Sequence, residues 1–136
     1  MEILKKLETL ISEVIRMQKG PVAKACPECE APCCARVQYL FDEKDVLFLR
    51  LSGRKGDHRR KYGRGKGCLF LSSTGCLLVP QARPFTCHRY ICPRLEQTMD
   101  RQNPELRKML NARFREIEGL RSDLWSAYLD RQDTSL

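Results

Sequence analysis

Two groups of cysteine constrain this chain more than anything else in it. Cys26, Cys29, Cys33 and Cys34 fall within nine residues, and Cys68, Cys76, Cys87 and Cys92 form a second, wider group. A Cys-x-x-Cys turn points both sulfurs to one side, which provides two of the four thiolates that a tetrahedral metal site takes. The competing use of eight cysteines is a disulfide framework, and that requires an oxidising compartment. The opening Met-Glu-Ile-Leu-Lys-Lys-Leu-Glu places charge where a signal peptide carries an apolar core. No wholly apolar run approaches the roughly 18–20 residues of a membrane span. The reading is a cytoplasmic chain without a membrane partner, its thiols reduced and all eight cysteines candidate metal ligands.

The 136 residues suit a single domain, 1–136, with the cysteine core over 26–93 and flanking helices over 2–19 and 105–130. Ile3, Leu4, Leu7, Leu10, Ile11, Val14 and Ile15 recur at three and four, the period of an amphipathic helix, and Gly20-Pro21 is expected to end it. The first cysteine group follows in a loop stiffened by Pro27 and Pro32. Asp42 can cap a short helix from about Glu43 to Leu51, with Asp45 in its first turn and Ser52-Gly53 as its stop. Cys68-Leu-Phe-Leu and Cys76-Leu-Leu-Val, separated by Ser72 to Gly75, read as a small hairpin with a four-residue loop. Cys87 and Cys92 are placed on a short helix or tight turn. Leu106, Met109, Leu110, Phe114, Ile117, Leu120, Leu124, Trp125 and Tyr128 mark a long helix able to pack on the first. The expected fold class is mainly α with a small β-hairpin: a metal-stapled domain whose long N- and C-terminal helices pack around a cysteine cluster.

Read together, Cys26-x-x-Cys29-x-x-x-Cys33-Cys34, Cys68-x-Phe70-Leu71, Gly75-Cys76 and Arg83-Pro84-x-x-Cys87-x-x-Tyr90-x-Cys92-Pro93 are a specific pattern. It resembles the YkgJ-type cysteine-cluster family, described as zinc- or iron-chelating domains. The resemblance covers residues 26–93 and leaves both flanking helices outside it. It implies a metal site, and the likeness of part of that family to the cysteine-rich portion of flagellin lysine methylases points towards an iron–sulfur cluster. Membership of a fold family implies no reaction by itself.

Spacing allows each group of four to form its own site, or sites that draw on both segments. Neighbouring α-carbons lie about 3.8 Å apart and their side chains diverge, so Cys33 and Cys34 are expected to serve different metals, or one to remain unligated. All-sulfur ligation suits an iron–sulfur cluster or tetrahedral zinc alike. Arg83 and Arg89 are candidates to lie beside the cofactor, where a guanidinium offsets thiolate charge. His88 is read as a partly exposed hydrogen-bonding residue rather than a ligand, and His58 as solvated.

The formal charge of +8 treats every cysteine as neutral. Eight thiolates on two divalent zinc ions contribute −4, so the metal-loaded chain would carry only +4. The basic 54–66 segment, with Arg54, Lys55, Arg59, Arg60, Lys61, Arg64 and Lys66, is a surface loop that could track a phosphate backbone. It lacks the interleaved aromatics or helix-turn-helix that would favour nucleic acid. No nucleophile elbow, paired catalytic carboxylates or glycine-rich phosphate loop indicates an enzyme, so no residue is assigned as catalytic. The leading function is a metal-binding protein with iron–sulfur or zinc centres and a redox or accessory role. The alternative is a structural-zinc module contacting nucleic acid or a protein through the basic loop.

Overall fold

The computed structural model describes residues 2–25, 41–54, 71–72, 75–76 and 79–134. Its longest helices are α1 (Glu2–Ala25) and α5 (Leu106–Thr134), and each buries one stripe of side chains. On α1 the buried residues are Leu7, Ile11, Val14, Gln18, Pro21 and Ala25; on α5 they include Leu110, Phe114, Ile117, Arg121 and Leu124. Steps alternating between four and three make a 3.5-residue period, the spacing of a seam between two packed helices. Glu13 pairs with Arg113 at 2.9 Å, while Lys5 to Leu10 flank the same cleft as Arg115 to Asp123, so the helices run antiparallel. Leu7, Val14, Leu110 and Ile117 are fully buried along this seam. Each such side chain contributes about 1.5–3 kcal/mol by leaving water.

α1 does not stop at Gly20-Pro21. It runs on to Ala25 with Pro21 inside it. A proline there removes the N–H that would bond the Met17 carbonyl and costs a helix about 3 kcal/mol. Tertiary packing overrides that local preference, because Pro21 and Ala25 continue the buried stripe against the rest of the fold. Gly20 tolerates the position easily: a Cβ there would meet only the Gln102 side chain, at 3.9 Å.

α2 (Glu43–Leu51) begins in a reciprocal cap. The Asp45 amide donates to Asp42 Oδ1 at 2.8 Å, and the Asp42 amide donates to Asp45 Oδ2 at 3.0 Å. It ends at Ser52, followed by Gly53 with φ of 73°, a left-handed conformation that glycine adopts without strain. Leu47, Phe48 and Leu49 of α2 join the same apolar cluster as the seam. A 3-10 turn (Pro80–Ala82), α3 (Phe85–Arg89) and α4 (Pro93–Gln102) follow in close succession. α4 packs on both α1 and α5 through Leu95 and Met99. The apolar period in the sequence does not reveal α4, since those two residues are its whole apolar stripe.

The expected fold class is corrected on two points. Among the described residues, extended pairing is confined to Leu71–Ser72 against Gly75–Cys76, with Leu71 opposite Cys76 and Ser72 opposite Gly75. Among the described residues two residues a side close a turn and add no strand layer, so the architecture is helical and not the expected one with a hairpin; Cys68, the expected start of its first strand, lies outside the described residues. An isolated two-stranded ribbon has too little apolar face to hold itself, whereas the helices bury theirs in the common core. The second correction concerns what the long helices pack around. Between them lies the leucine-rich seam, and among the described residues no group of three or more His, Cys, Asp or Glu is placed to hold a metal.

Candidate metal centre

α3 carries Cys87 and is only five residues long. A helix of that length cannot sustain itself, because nucleation costs more than so few hydrogen bonds return. Its position is set from outside at both ends. At its start the Phe85 amide, which has no partner within the helix, donates to Asp45 Oδ1 at 3.0 Å. Near its end the His88 carbonyl accepts from Gln18 Nε2 at 2.8 Å. Gln18 and Arg121 are the two polar members of the α1 and α5 stripes, and both serve this helix.

Arg121 acts through Asp45. Its Nη2 lies 2.7 and 2.8 Å from the two Asp42 oxygens and 3.3 Å from Asp45 Oδ1, with the guanidinium over the Phe85 ring at 4.8 Å. Phe85 in turn meets Phe114 edge-on, centroids 6.1 Å apart. Asp45 is 7 % exposed and Arg121 8 %. Burial pushes the Asp45 carboxyl up to about 6, against Arg121 and the Asp42 and Phe85 amides, which favour the ionised form. For Asp42, burial opposes ionisation, but the Asp45 amide and Arg121 hold its carboxyl below the ordinary value.

Cys92 is the N-cap of α4, and its Sγ accepts from the Leu95 amide at 3.4 Å. A backbone N–H to sulfur fixes the side chain's direction and is one of the contacts that tune thiolate-bound metals. Cys87 and Cys92 are both half-buried. Cys76 closes the short extended pairing. Cys26, Cys29, Cys33, Cys34 and Cys68 lie outside the described residues, so a four-ligand site has to draw on them. Ala25, which directly precedes Cys26, is buried and lines one cavity with Arg94, two residues beyond Cys92. The chain therefore enters its first cysteine group beside the place where it leaves its second.

The two candidate arginines part company. Arg83 is half-buried after the 3-10 turn, its charge close enough to His88 to disfavour the imidazolium. Arg89 is exposed and forms an ion pair with Glu118 of α5. Of the basic segment, Arg54 is described and exposed; residues 55–66, His58 with them, lie outside the described residues.

His88 differs from its sequence reading. It is 7 % exposed, and burial together with the Arg83 charge pulls it down to about 4, with the Pro80 carbonyl bond acting the other way. Its Nε2 is buried and has no hydrogen-bond partner among the described residues. An orphaned polar atom of this kind costs about 1–3 kcal/mol. Cys87 precedes His88 on α3, yet among the described residues His88, Cys87 and Cys92 are not grouped so as to hold a metal. Sequence reasoning missed Gln18, Asp45 and Arg121 as determinants of this region. A signal for Gln18 and Arg121 exists, since each interrupts an apolar stripe at a seam position.

No family model, curated protein or solved structure matches the chain. The resemblance to the cysteine-cluster family rests on the residue pattern over 26–93 alone.

Proposed function

We propose that this protein binds metal through cysteine thiolates, in one or two centres shared between its two cysteine segments, and serves a redox or accessory role through an iron–sulfur cluster. The observation that carries the reading is the approach of the two segments' described ends, Ala25 and Arg94, to one cavity. Two short segments far apart in sequence can then contribute to common centres. The soft donor set suits iron–sulfur or zinc, and a bound cluster would supply one-electron chemistry. The chain's own residues do the positioning: Asp45 and Gln18 hold the helix that carries Cys87, and the Leu95 amide directs Cys92 Sγ. The cytoplasm is the proposed compartment, where thiols remain available to metal. Among the described residues no helix is long and apolar enough to cross a membrane.

Anaerobic purification followed by iron, acid-labile sulfide and zinc analysis tests this directly. Iron with sulfide, and visible absorbance bleached reversibly by dithionite, is the expected result. Colourless protein with zinc would make the centres structural, and absence of both metals would sink the proposal.

A second reading has its own support. Arg94, Gln97, Thr98 and Arg101 fall at the i, i+3, i+4, i+7 positions of α4, and with Lys24 and Ala25 they line a cavity of about 460 Å³. No carboxylate is among those lining residues. With structural zinc, this basic face and the 54–66 segment would contact the phosphates of a nucleic acid. Binding that weakens steeply as salt rises, and weakens further in a Lys24→Ala, Arg101→Ala chain, is its expected signature.

A further inference from the structure

The cavity at the end of α1 gathers charge of one sign. It is lined by Lys24 and Ala25 of α1 and by Arg94, Gln97, Thr98 and Arg101 of α4, and its volume is about 460 Å³. Three of those six residues are cations. α4 also carries two carboxylates, but both lie on another face, where Arg107 of α5 holds them. Its Nε and Nη2 donate to Asp100 at 2.8 and 3.0 Å, and its Nη1 lies 3.2 Å from Glu96. The helix thus sorts its charges, acids towards Arg107 and bases towards the cavity. Among the described residues neither Lys24 nor Arg101 has an ion-pair partner. A cleft lined by one sign of charge focuses its field on ions of the other.

The rest of the lining says which anion fits. Ala25 is the one apolar residue among the six and none is aromatic, so a nucleobase or an acyl chain finds nothing there to stack on or bury against. Thr98 gives its hydroxyl proton to the Arg94 carbonyl at 3.1 Å and offers no further donor. The remaining donors are an ammonium, two guanidinium groups and the Gln97 amide. A single carboxylate would answer one of the three positive charges. Two or more phosphoryl groups answer all three, and guanidinium meets such oxygens with paired hydrogen bonds. The α-carbons of Arg94 and Arg101 stand about 10 Å apart along the helix, a gap that their long side chains can close on one small ligand.

We infer that this cavity binds a compact polyphosphate, a small molecule that presents two or more linked phosphoryl groups to Lys24, Arg94 and Arg101 together. The inference rests on the premise of the second reading above, that this face meets phosphate, and it replaces the nucleic-acid strand by a small molecule; it is independent of the metal.

Calorimetric titration of the full chain with inorganic tripolyphosphate tests it at near-physiological salt, with orthophosphate and a short oligothymidylate as comparisons. Tripolyphosphate should bind at one per chain and more tightly than orthophosphate. Lys24→Gln and Arg101→Gln should each weaken it about tenfold or more, the effect of losing a hydrogen bond to a charged group. Both side chains are exposed, and if one variant fails to fold the other decides. A Lys5→Gln, Lys6→Gln chain removes two cations from the other cleft, between α1 and α5, and should bind as wild type does. Absence of saturable tripolyphosphate binding overturns the inference, as does binding that ignores Lys24 and Arg101 or falls equally in the Lys5 and Lys6 control. Oligothymidylate that binds and is not displaced by tripolyphosphate also overturns it while leaving the nucleic-acid reading in place. Tripolyphosphate bound with no affinity for oligothymidylate supports it and removes that reading.

Discussion

The α1–α5 seam and the α3 segment are held by opposite means. The seam buries a continuous apolar stripe from each of two long helices, so its stability is spread over many side chains and no single contact is decisive. α3 is one short helix with a single apolar anchor, Phe85 against Phe114, and a polar contact near each end, the Phe85 amide to Asp45 and the His88 carbonyl to Gln18. The difference shows how a small fold can place a short cysteine-bearing helix that adds only Phe85 to the apolar core. It interrupts the apolar stripe of each long helix once, with Gln18 and Arg121, and uses those interruptions as clamps. A polar residue in such a seam lowers stability and specifies arrangement.

The clamp breaks most severely at Arg121. Arg121→Met leaves Asp42 and Asp45 without their cation, and the expected loss is about 3–5 kcal/mol by urea unfolding. A loss under about 1 kcal/mol would show that the carboxylates do not depend on the seam. Leu110→Ala attacks the other region, and the cavity it opens should cost about 2–5 kcal/mol. Metal content per folded chain should be unchanged by that substitution; a fall would mean that seam and cysteine segments are one unit. Gln18→Leu improves the seam's apolar match but strips the His88 carbonyl of its donor, at an expected cost of about 1–3 kcal/mol. Hydrogen exchange should then quicken at Cys87 and Tyr90 and not at Phe114.

A pH titration sharpens the comparison further. The Asp45 carboxyl is easier to protonate folded, at about 6, than unfolded, near 3.8. Its contribution is present below pH 3.8 and is lost as the pH rises through about 6. The stability difference between wild type and Asp45→Asn should therefore move against wild type between about pH 4 and pH 6, measured by thermal or urea unfolding. A difference independent of pH over that window would remove the claim that burial dominates at Asp45. The smallest effect belongs to the seam's exposed side. Gly119 of α5 has open space where a Cβ would go, so Gly119→Ala should add about 0.5–1 kcal/mol without touching metal content.

Local pattern determined several parts of this protein from the sequence alone. The apolar periods of 2–15 and 106–128 specify two long helices, Asp42 with Asp45 specifies the start of α2, and Ser52-Gly53 its end. The proposal of soft-donor chemistry is equally local, resting on cysteine number and spacing. What only the tertiary structure decided is whatever depends on a partner distant in the chain. Pro21 stays helical because its face is buried against elements far along the sequence, a gain no local rule counts. The expected hairpin is, among the described residues, a two-residue pairing, which has too little apolar face to form a layer beside the helices. Asp45 reads only as a first-turn residue of that helix but lies buried, because Phe85 and Arg121 arrive from 40 and more residues away. His88 reads as a partly exposed side chain, and only the tertiary structure shows it buried, with its carbonyl held by Gln18 of α1. Periodicity and caps are properties of a segment; burial and pairing are properties of the folded whole.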